Sequence, residues 1–250
     1  MLKGFFKNKK IKTPRKYYLV NDDSDFIIKE SYKSIRTNLM SLLSVCEGAK
    51  SFVITSPETT DGKTLTISNI AISFAQLGYK TLVIDADMRK PKLHKIFNIP
   101  GSEGLADYLG GFIDKIPVHK TDYENLDVVT AGTIPPDPTR LLLSANFSKL
   151  LENAKENYDY ILFDAPPVNL LTDAVLIAKQ TLGCVLVVKY KYTTKDGLIA
   201  AKKEIESGSA DLLGVVLNHV DLDSKTYKNK VYAKSSYNYY SYEYIDKGDD

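Results

Sequence analysis

An apolar, strand-like run opens the stretch Ser51-Phe-Val-Ile-Thr-Ser-Pro-Glu-Thr-Thr-Asp-Gly-Lys-Thr64. The same stretch ends in a Gly-Lys-Thr triplet. A helical pattern of apolar residues starts at Lys63 and continues to Gln76. A loop between a strand and a helix is a common site for bound phosphate, because the first amides of the helix point at the anion. The pattern predicts that Lys63 contacts nucleotide phosphates and that Thr64 places its hydroxyl on Mg²⁺. The alternative is an ordinary strand–helix turn in which Thr64 caps the helix.

The loop departs from the full phosphate-binding pattern, G-x-x-x-x-G-K-[ST], because Pro57 occupies the position of the first glycine. The strand and helix on either side nevertheless favour nucleotide binding over a simple turn. The residues predicted to contact the nucleotide from this loop are Thr60, Asp61, Gly62, Lys63, Thr64 and Leu65.

Strand-like and helical runs alternate along the rest of the chain. The predicted strands are Ser51–Thr55, Lys80–Asp85, Leu126–Thr130, Tyr158–Asp164, Cys184–Lys189 and Leu213–Asn218. The predicted helices are Asp25–Ser44, Lys63–Gln76, Phe147–Asn157, Ala174–Gln180 and Lys195–Ser207. Near-continuous apolar strands separated by helices are typical of a parallel sheet that is covered on both faces. The sequence therefore predicts an α/β P-loop NTPase fold, with one domain over residues 25–222.

Acidic residues follow two further strands. Asp85 and Asp87 lie in Thr81-Leu-Val-Ile-Asp-Ala-Asp-Met-Arg89, and Asp164 ends the strand in Tyr160-Ile-Leu-Phe-Asp-Ala-Pro-Pro167. Ligands of open parallel sheets bind at the carboxyl ends of the strands, so these carboxylates are expected beside the phosphate loop. They could hold Mg²⁺, and one of the pair could accept a proton from an attacking hydroxyl. Alternatively, Asp85 and Asp87 pair with Arg89 and Lys90.

Composition restricts the class of protein. Hydrophobic residues make up 44% of the 250 residues and charged residues 26%, as in an ordinary globular protein. The longest apolar runs are strand-sized, far below the roughly 20 residues of a membrane span, and no signal peptide is apparent. Two isolated cysteines, Cys46 and Cys184, suggest neither a metal cluster nor a disulfide framework. A cytoplasmic location is expected.

The ends of the chain differ from its centre. Residues 1–24 are predicted to form a mobile arm whose first 16 residues carry seven Lys or Arg and no acid. The arm could lie on an anionic membrane or be a solvated terminus, and nucleic-acid binding is not expected because the domain itself is not basic. Residues 223–250 are predicted to be a flexible tail. Seven tyrosines with polar neighbours lie there: Tyr227, Tyr232, Tyr237, Tyr239, Tyr240, Tyr242 and Tyr244.

Together these motifs resemble the bacterial tyrosine kinases (BY-kinases), in particular the cytoplasmic kinases of Gram-positive capsule and exopolysaccharide loci. The resemblance extends from about Glu30 to the tail and includes Gly132-Thr-Ile-Pro-Pro-Asp-Pro138 and Leu213-Gly-Val-Val-Leu-Asn218. It implies that ATP and Mg²⁺ bind, that Asn218 approaches the base, and that the tail tyrosines are autophosphorylated. It also implies that Lys63, Asp85 and Asp87 are catalytic, with Asp85 favoured as the base, and that Thr64, Asp87 and Asp164 hold the metal.

The resemblance further implies partners. Family members form a ring through Glu-x-x-Arg-x-x-Arg, and this chain has Glu30, Lys33 and Arg36 at those positions. Lysine lacks the bidentate geometry of arginine, and an intrahelical ion pair is the alternative role for these charges. The expected partners are further copies that phosphorylate in trans, a membrane-anchored activator that recruits the kinase to the inner face of the membrane, and a tyrosine phosphatase.

The sequence also shows a departure from the family and leaves two other functions open. Thr60 occupies a position where the family usually has glycine, so either Thr60 adopts that backbone conformation or the loop shifts. A MinD/ParA-type ATPase would carry an additional lysine early in the loop, which Ser56 to Asp61 lack. An ATP-binding scaffold with weak catalysis is the other alternative. An iron–sulfur carrier is excluded for want of paired cysteines.

Overall fold

A seven-stranded sheet forms the centre of the computed structural model, which describes residues 19–220. The strands are β1 (Lys50–Thr55), β2 (Thr81–Asp85), β3 (His119–Lys120), β4 (Leu126–Val129), β5 (Tyr160–Asp164), β6 (Cys184–Lys189) and β7 (Leu212–Asn218). Their order across the sheet is β3-β4-β2-β5-β1-β6-β7. All neighbouring strands are parallel except β3 and β4, which pair antiparallel. The predicted fold class is confirmed.

Helices cover both faces of this sheet. They are α1 (Phe26–Leu43), α2 (Lys63–Ala75), α3 (Leu93–Ile96), α4 (Leu105–Leu109), α5 (Pro138–Leu142), α6 (Ala145–Asn157), α7 (Asp173–Ala178) and α8 (Lys195–Ser207). Alternate residues of each strand point to opposite faces, so Phe52 packs with α1 to α3 while Val53 packs with the later helices. Both side chains are fully buried. Two cores therefore enclose the sheet.

The sequence patterns located the long elements to within one or two residues and missed four short ones. Strand β3 and helices α3, α4 and α5 have two to five residues each, too few for an apolar period to be visible. At the start of α1, Asp25 is the N-cap, since its carboxylate accepts the amide hydrogen of Ile27.

The packed part of the chain extends in front of α1. Val20 is 5% exposed, and its amide donates to Oδ1 of Asn69 in α2 over 2.8 Å. The seven tail tyrosines and residues 1–18 lie outside the described residues, so the predicted arm and tail stay predictions. Between Leu19 and Val220, no helix has both the length and the apolar character that crossing a bilayer requires.

Candidate active site

The strand order brings three loops to one edge of the sheet. Strand β5 lies between β1 and β2, so the loops that follow these three strands are neighbours. Asp85, the last residue of β2, is directly opposite Asp164, the last residue of β5. The carboxylates expected from the sequence at this edge are therefore next to each other and next to the loop that leads into α2.

The loop before α2 is held by contacts with the strand-end Asn218. The side-chain amide of Asn218 donates to the Asp61 carbonyl over 2.9 Å. Gly62 has a φ of +95°, and a Cβ at this position would lie 2.1 Å from Nδ2 of Asn218. The backbone angle favours glycine, and a larger residue would also have to displace the Asn218 side chain. Asn218 therefore shapes the loop, in addition to its predicted approach to the base.

Asp61 has a structural use that the sequence did not suggest. Its buried carboxylate accepts the Glu58 amide hydrogen over 3.1 Å and the Thr193 hydroxyl over 3.0 Å. Burial raises the pKa of this carboxyl group. With both oxygens occupied by these donors, the carboxylate holds the loop against the turn after β6. Nucleotide contacts from Asp61 would therefore come from its backbone.

Thr60 adopts the backbone conformation that glycine usually supplies. Its φ is +71°, which is rare for a β-branched residue, while its side chain is exposed. The loop therefore keeps its path without glycine, and Thr60 bears a backbone strain of about 1–2 kcal/mol.

Replacing Thr60 by glycine is expected to stabilise the protein. Relief of the strain, less the entropy that glycine loses on folding, leaves about 1 kcal/mol, or about 2–4 °C in melting temperature. Thermal melts of Thr60→Gly and Asn98→Gly check this result. Asn98 is also exposed and has a φ of +52°, but asparagine tolerates this region, so its replacement should stabilise less. Equal shifts in the two variants, or a lower melting temperature for Thr60→Gly, would contradict the assignment of strain.

Lys63 joins two of the three carboxylates. Its ammonium group donates to Oδ2 of Asp87 over 3.1 Å and to Oδ1 of Asp164 over 3.3 Å. All three side chains are at most 8% exposed. Although burial alone would lower the pKa of Lys63, the carboxylates of Asp164 and Asp87 outweigh it and raise the pKa, so the lysine stays charged. An ammonium group has three donors, which leaves one for a phosphate oxygen.

Asp85 is the third carboxylate and has different partners. One oxygen, Oδ2, accepts the amide hydrogens of Lys92 and Leu93, each over 3.0 Å. The other, Oδ1, is buried and has no hydrogen-bond partner among residues 19–220. Burial and the neighbouring Asp164 carboxylate raise the pKa of Asp85 to about 7. A carboxylate with such a pKa is a much better proton acceptor near neutral pH than an ordinary aspartate.

The oxygen atoms at this edge suit a magnesium ion. Oδ2 of Asp164 is buried without a hydrogen-bond partner among residues 19–220, and the Thr64 hydroxyl interacts with the same carboxylate. Three carboxylates surround one ammonium group, so negative charge is in excess. No cluster of three His, Cys, Asp or Glu side chains arranged to hold a metal occurs in that part of the chain. Mg²⁺ that arrives with nucleotide phosphates needs only one or two protein carboxylates, so the residues present fit it.

The alternative pairing of Asp85 and Asp87 with Arg89 and Lys90 is not what the structure contains. Lys90 reaches Oδ1 of Asp87 only through its backbone amide, over 3.1 Å. The Arg89 side chain turns towards Asp173, with 3.6 Å between Nε and Oδ2. Sequence reasoning missed Asp173, because a single buried acid at the start of a short helix gives no motif.

The three charges predicted at an oligomer interface lie on α1. Lys33 forms an exposed ion pair with Glu30, with 2.6 Å between Nζ and Oε1. Arg36 donates to the carbonyl and hydroxyl oxygens of Ser73 in α2, over 2.8 and 3.1 Å. Within one copy, Arg36 is thus already engaged, whereas Glu30 and Lys33 remain accessible. An interface role for these residues stays a prediction.

Known proteins resemble this chain in sequence. The sequence matches the AAA domain family over residues 53–211. It is 38% identical over 201 residues to the tyrosine-protein kinase CpsD of Streptococcus agalactiae, over 80% of this chain and 86% of the relative. The tyrosine-protein kinase YwqD of Bacillus subtilis is 36% identical over 213 residues, or 84% and 85% of the two chains. The chain belongs to the bacterial tyrosine-protein kinases. This membership confirms the resemblance and the predicted enzyme class.

Solved structures share the fold of this kinase. The chimerical protein CapA2B2 is 42% identical, with a TM-score of 0.71 over 76% of this kinase and 84% of that chain. The septum site-determining protein MinD of Pyrococcus horikoshii is similar in fold, with a TM-score of 0.56 and 20% identity. That likeness shows the shared P-loop architecture alone. The tyrosine-kinase relatives, at much higher identity, therefore favour the kinase over the MinD/ParA alternative.

Proposed function

We propose that the protein transfers the γ-phosphoryl group of ATP to tyrosines of its own C-terminal cluster. The observation that carries this proposal is the position of the Lys63 ammonium group between Asp87 and Asp164, beside the raised-pKa carboxyl group of Asp85. Phosphoryl transfer requires positioning and charge neutralisation more than covalent chemistry from the protein. The site offers one cation for the phosphates and one carboxylate with a free oxygen for the proton.

The residues divide the reaction as follows. Lys63 and the amides after Gly62 bind the phosphates, while Thr64, Asp87 and Asp164 would hold Mg²⁺, which neutralises the charge that develops on the phosphate oxygens. The phenolic oxygen attacks the γ-phosphorus, the bond to the bridging oxygen breaks, and ADP leaves. Both oxygens of Asp87 already accept hydrogen bonds, whereas Oδ1 of Asp85 is free to take the phenolic proton.

The proposed setting is the inner face of the cell membrane, where a membrane-anchored activator recruits the kinase for capsule or exopolysaccharide synthesis and export. The similar CapA2B2 structure is a chimerical protein, which supports a second polypeptide as a partner. Copies assembled as a ring through Glu30, Lys33 and Arg36 would phosphorylate one another, and a tyrosine phosphatase would reverse the reaction. Each phosphate adds about 1.5 to 2 negative charges, so repeated modification of the tail would loosen the ring.

Phosphotyrosine mapping tests the proposal. The protein is incubated with Mg-ATP and a membrane fraction that contains the activator, and the modified residues are located by mass spectrometry. Phosphate is expected on tyrosines between residues 227 and 244 and on no serine or threonine. A full-length chain with these seven tyrosines changed to phenylalanine is the matched control and should lose the signal. ATP hydrolysis without phosphotyrosine would contradict the proposal and favour a MinD/ParA-type ATPase.

The basic arm is tested separately. If residues 1–16 assist the approach to the membrane partner, their deletion should reduce recovery of the protein with the membrane fraction. Seven positive charges near an anionic surface contribute about 1 kcal/mol each, so added salt should have the same effect. Unchanged localisation and partner binding after the deletion would show that the arm has no such role.

A further inference from the structure

Asp173 is a buried carboxylate that the proposed phosphoryl transfer does not use. It is 1% exposed and lies at the start of α7. Its Oδ1 accepts the Thr139 hydroxyl over 3.0 Å, whereas Oδ2 has no hydrogen-bond partner among residues 19–220. The cation that faces Oδ2 is Arg89, with 3.6 Å between Nε and Oδ2. Since an unpaired buried charge is costly, Asp173 fixes the position of the Arg89 guanidinium group.

The guanidinium group of Arg89 also has donors that the ion pair with Asp173 does not use. Arg89 follows Asp87 by two residues, and its side chain is 38% exposed. Within residues 19–220 no hydrogen bond donated by its Nη1 or Nη2 is present, and its ion pair is with Asp173. A guanidinium group has five N–H donors in a fixed plane and binds carboxylate or phosphate oxygens in pairs. The structure therefore places an oriented, accessible anion-binding group at the rim of the site.

The position of Arg89 favours the incoming peptide over ATP as the source of the anion. Lys63 lies in the buried centre, against the residues that would hold the metal, and has a donor left for phosphate. Arg89 is instead 38% exposed, and it faces Asp173 at the start of α7 rather than the carboxylates around Lys63. A tyrosine must enter from solvent to reach Asp85, and Arg89 is an exposed cation on the loop that follows Asp85.

We propose that Arg89, positioned by Asp173, binds negative charge next to the acceptor tyrosine and so selects which tyrosines are modified first. This inference rests on the proposed tail phosphorylation. Within Tyr242-Glu-Tyr-Ile-Asp246, acids flank two tyrosines. Tyr227 and Tyr232 instead lie among Lys225, Lys228, Lys230 and Lys234. Tyr242 and Tyr244 are therefore modified first, and the phosphates that they receive supply new anions beside Tyr239 and Tyr240.

Two peptides test the selection directly. One has the sequence of residues 238–246, and the other carries Gln for Glu243 and Asn for Asp246. The enzyme is the full chain with its seven tail tyrosines changed to phenylalanine, in the presence of the activator fraction. The acidic peptide is expected to have a kcat/KM about tenfold higher, as one charge-assisted contact implies. In Arg89→Gln the kcat/KM values of the two peptides should differ by no more than about twofold, and the KM for ATP should be unchanged.

Variants of the supporting residues separate positioning from binding. Asp173→Asn should reduce the peptide preference, and the double variant with Arg89→Gln should be no worse than Arg89→Gln alone, because both act through one group. Thr139→Val removes a single hydrogen bond to Asp173 and should reduce the peptide preference by a smaller amount. This variant replaces Asp173→Asn in the test if Asp173→Asn does not fold. Arg89→Lys should be intermediate, since it keeps the charge without the paired donors. An undiminished preference in Arg89→Gln overturns the proposal, and so does an equal loss for both peptides with a raised KM for ATP.

Direct binding keeps this test independent of turnover. Fluorescence anisotropy measures both peptides against the same full-length protein with a non-hydrolysable ATP analogue. If the parent protein binds the acidic peptide more tightly and Arg89→Gln loses this difference, the role of Arg89 is supported, even if neither peptide is phosphorylated. A lack of phosphorylation would count only against the proposed function. Equal binding of the two peptides by the parent protein overturns the role. A time course of tail modification should show Tyr242 and Tyr244 before Tyr227 and Tyr232, and the reverse order contradicts the proposal.

Discussion

Lys63→Met is expected to lower phosphotyrosine formation by at least about 100-fold, the usual cost of losing one aligned donor to transition-state charge. The ammonium group lies 3.1 Å from Asp87 and 3.3 Å from Asp164, in the buried centre where the phosphates are proposed to bind. Methionine has a similar length but supplies neither a donor nor a charge. The measurement is the initial rate of phosphotyrosine formation with Mg-ATP and the activator fraction.

The same substitution removes the partner of two buried carboxylates, so stability must be measured alongside activity. Breaking a buried ion pair from one side costs about 3–5 kcal/mol. Melting temperatures by circular dichroism define a temperature at which the variant is folded, and rates are compared there. Lys149→Met is the matched control, because Lys149 is exposed on α6 and forms no ion pair within residues 19–220. Phosphotyrosine at the normal rate in a folded Lys63 variant would exclude the proposed site.

Asp85→Asn is expected to lower the rate by about 100- to 10,000-fold, the range for loss of a general base. Asparagine has the same shape, and its carbonyl oxygen can still accept the amide hydrogens that Lys92 and Leu93 donate to Oδ2. The loop after β2 should therefore keep its path, and affinity for a non-hydrolysable ATP analogue should be retained. Asp127→Asn is the control, since Asp127 is also buried but is the second residue of β4, at the opposite edge of the sheet, and pairs with Lys120. A normal rate in Asp85→Asn would assign the proton to another acceptor.

Asp85→Asn should also raise the free energy of unfolding, and this gain should appear only as the pH rises above about 4. The folded-state pKa of Asp85 is about 7, above its unfolded value, so the folded protein keeps a proton that the unfolded chain releases. The parent protein therefore loses stability from this group as pH rises from about 4 to about 7, and the loss is complete above that range. At pH 8, without Mg²⁺ or nucleotide, the variant should gain on the order of 2–4 kcal/mol. A gain in melting temperature that is the same at pH 5 and pH 8 would contradict this origin.

The fold could be predicted because its decisive signals are local. The apolar runs of the central strands, the helical stripes between them and the Gly-Lys-Thr triplet each occupy one short stretch of sequence. The rule that ligands bind at the carboxyl ends of parallel strands then placed Lys63, Asp85, Asp87 and Asp164 at one edge. Elements of two to five residues, such as β3 and α4, were missed because their formation depends on packing rather than on a period.

Partner choice within the site could not be predicted. The sequence left open a pairing of Asp85 and Asp87 with Arg89 and Lys90, because all four are close along the chain. In the structure Asp85 accepts two backbone amides, Asp87 accepts the Lys63 ammonium group, and Arg89 faces Asp173. Each of these choices depends on which atoms meet after β2, β5 and α7 have packed.

By itself the sequence determined the P-loop fold, the kinase family and the set of charged residues at one edge of the sheet, since motif and period are properties of neighbouring residues. Tertiary structure alone decided how those charges divide: Lys63 stays charged between Asp87 and Asp164, while Asp85 keeps a free oxygen and a pKa of about 7. It also decided that Asp173 orients Arg89. The physical reason is that burial and distance set the energy of a charge, and both arise only when strands far apart in sequence become neighbours.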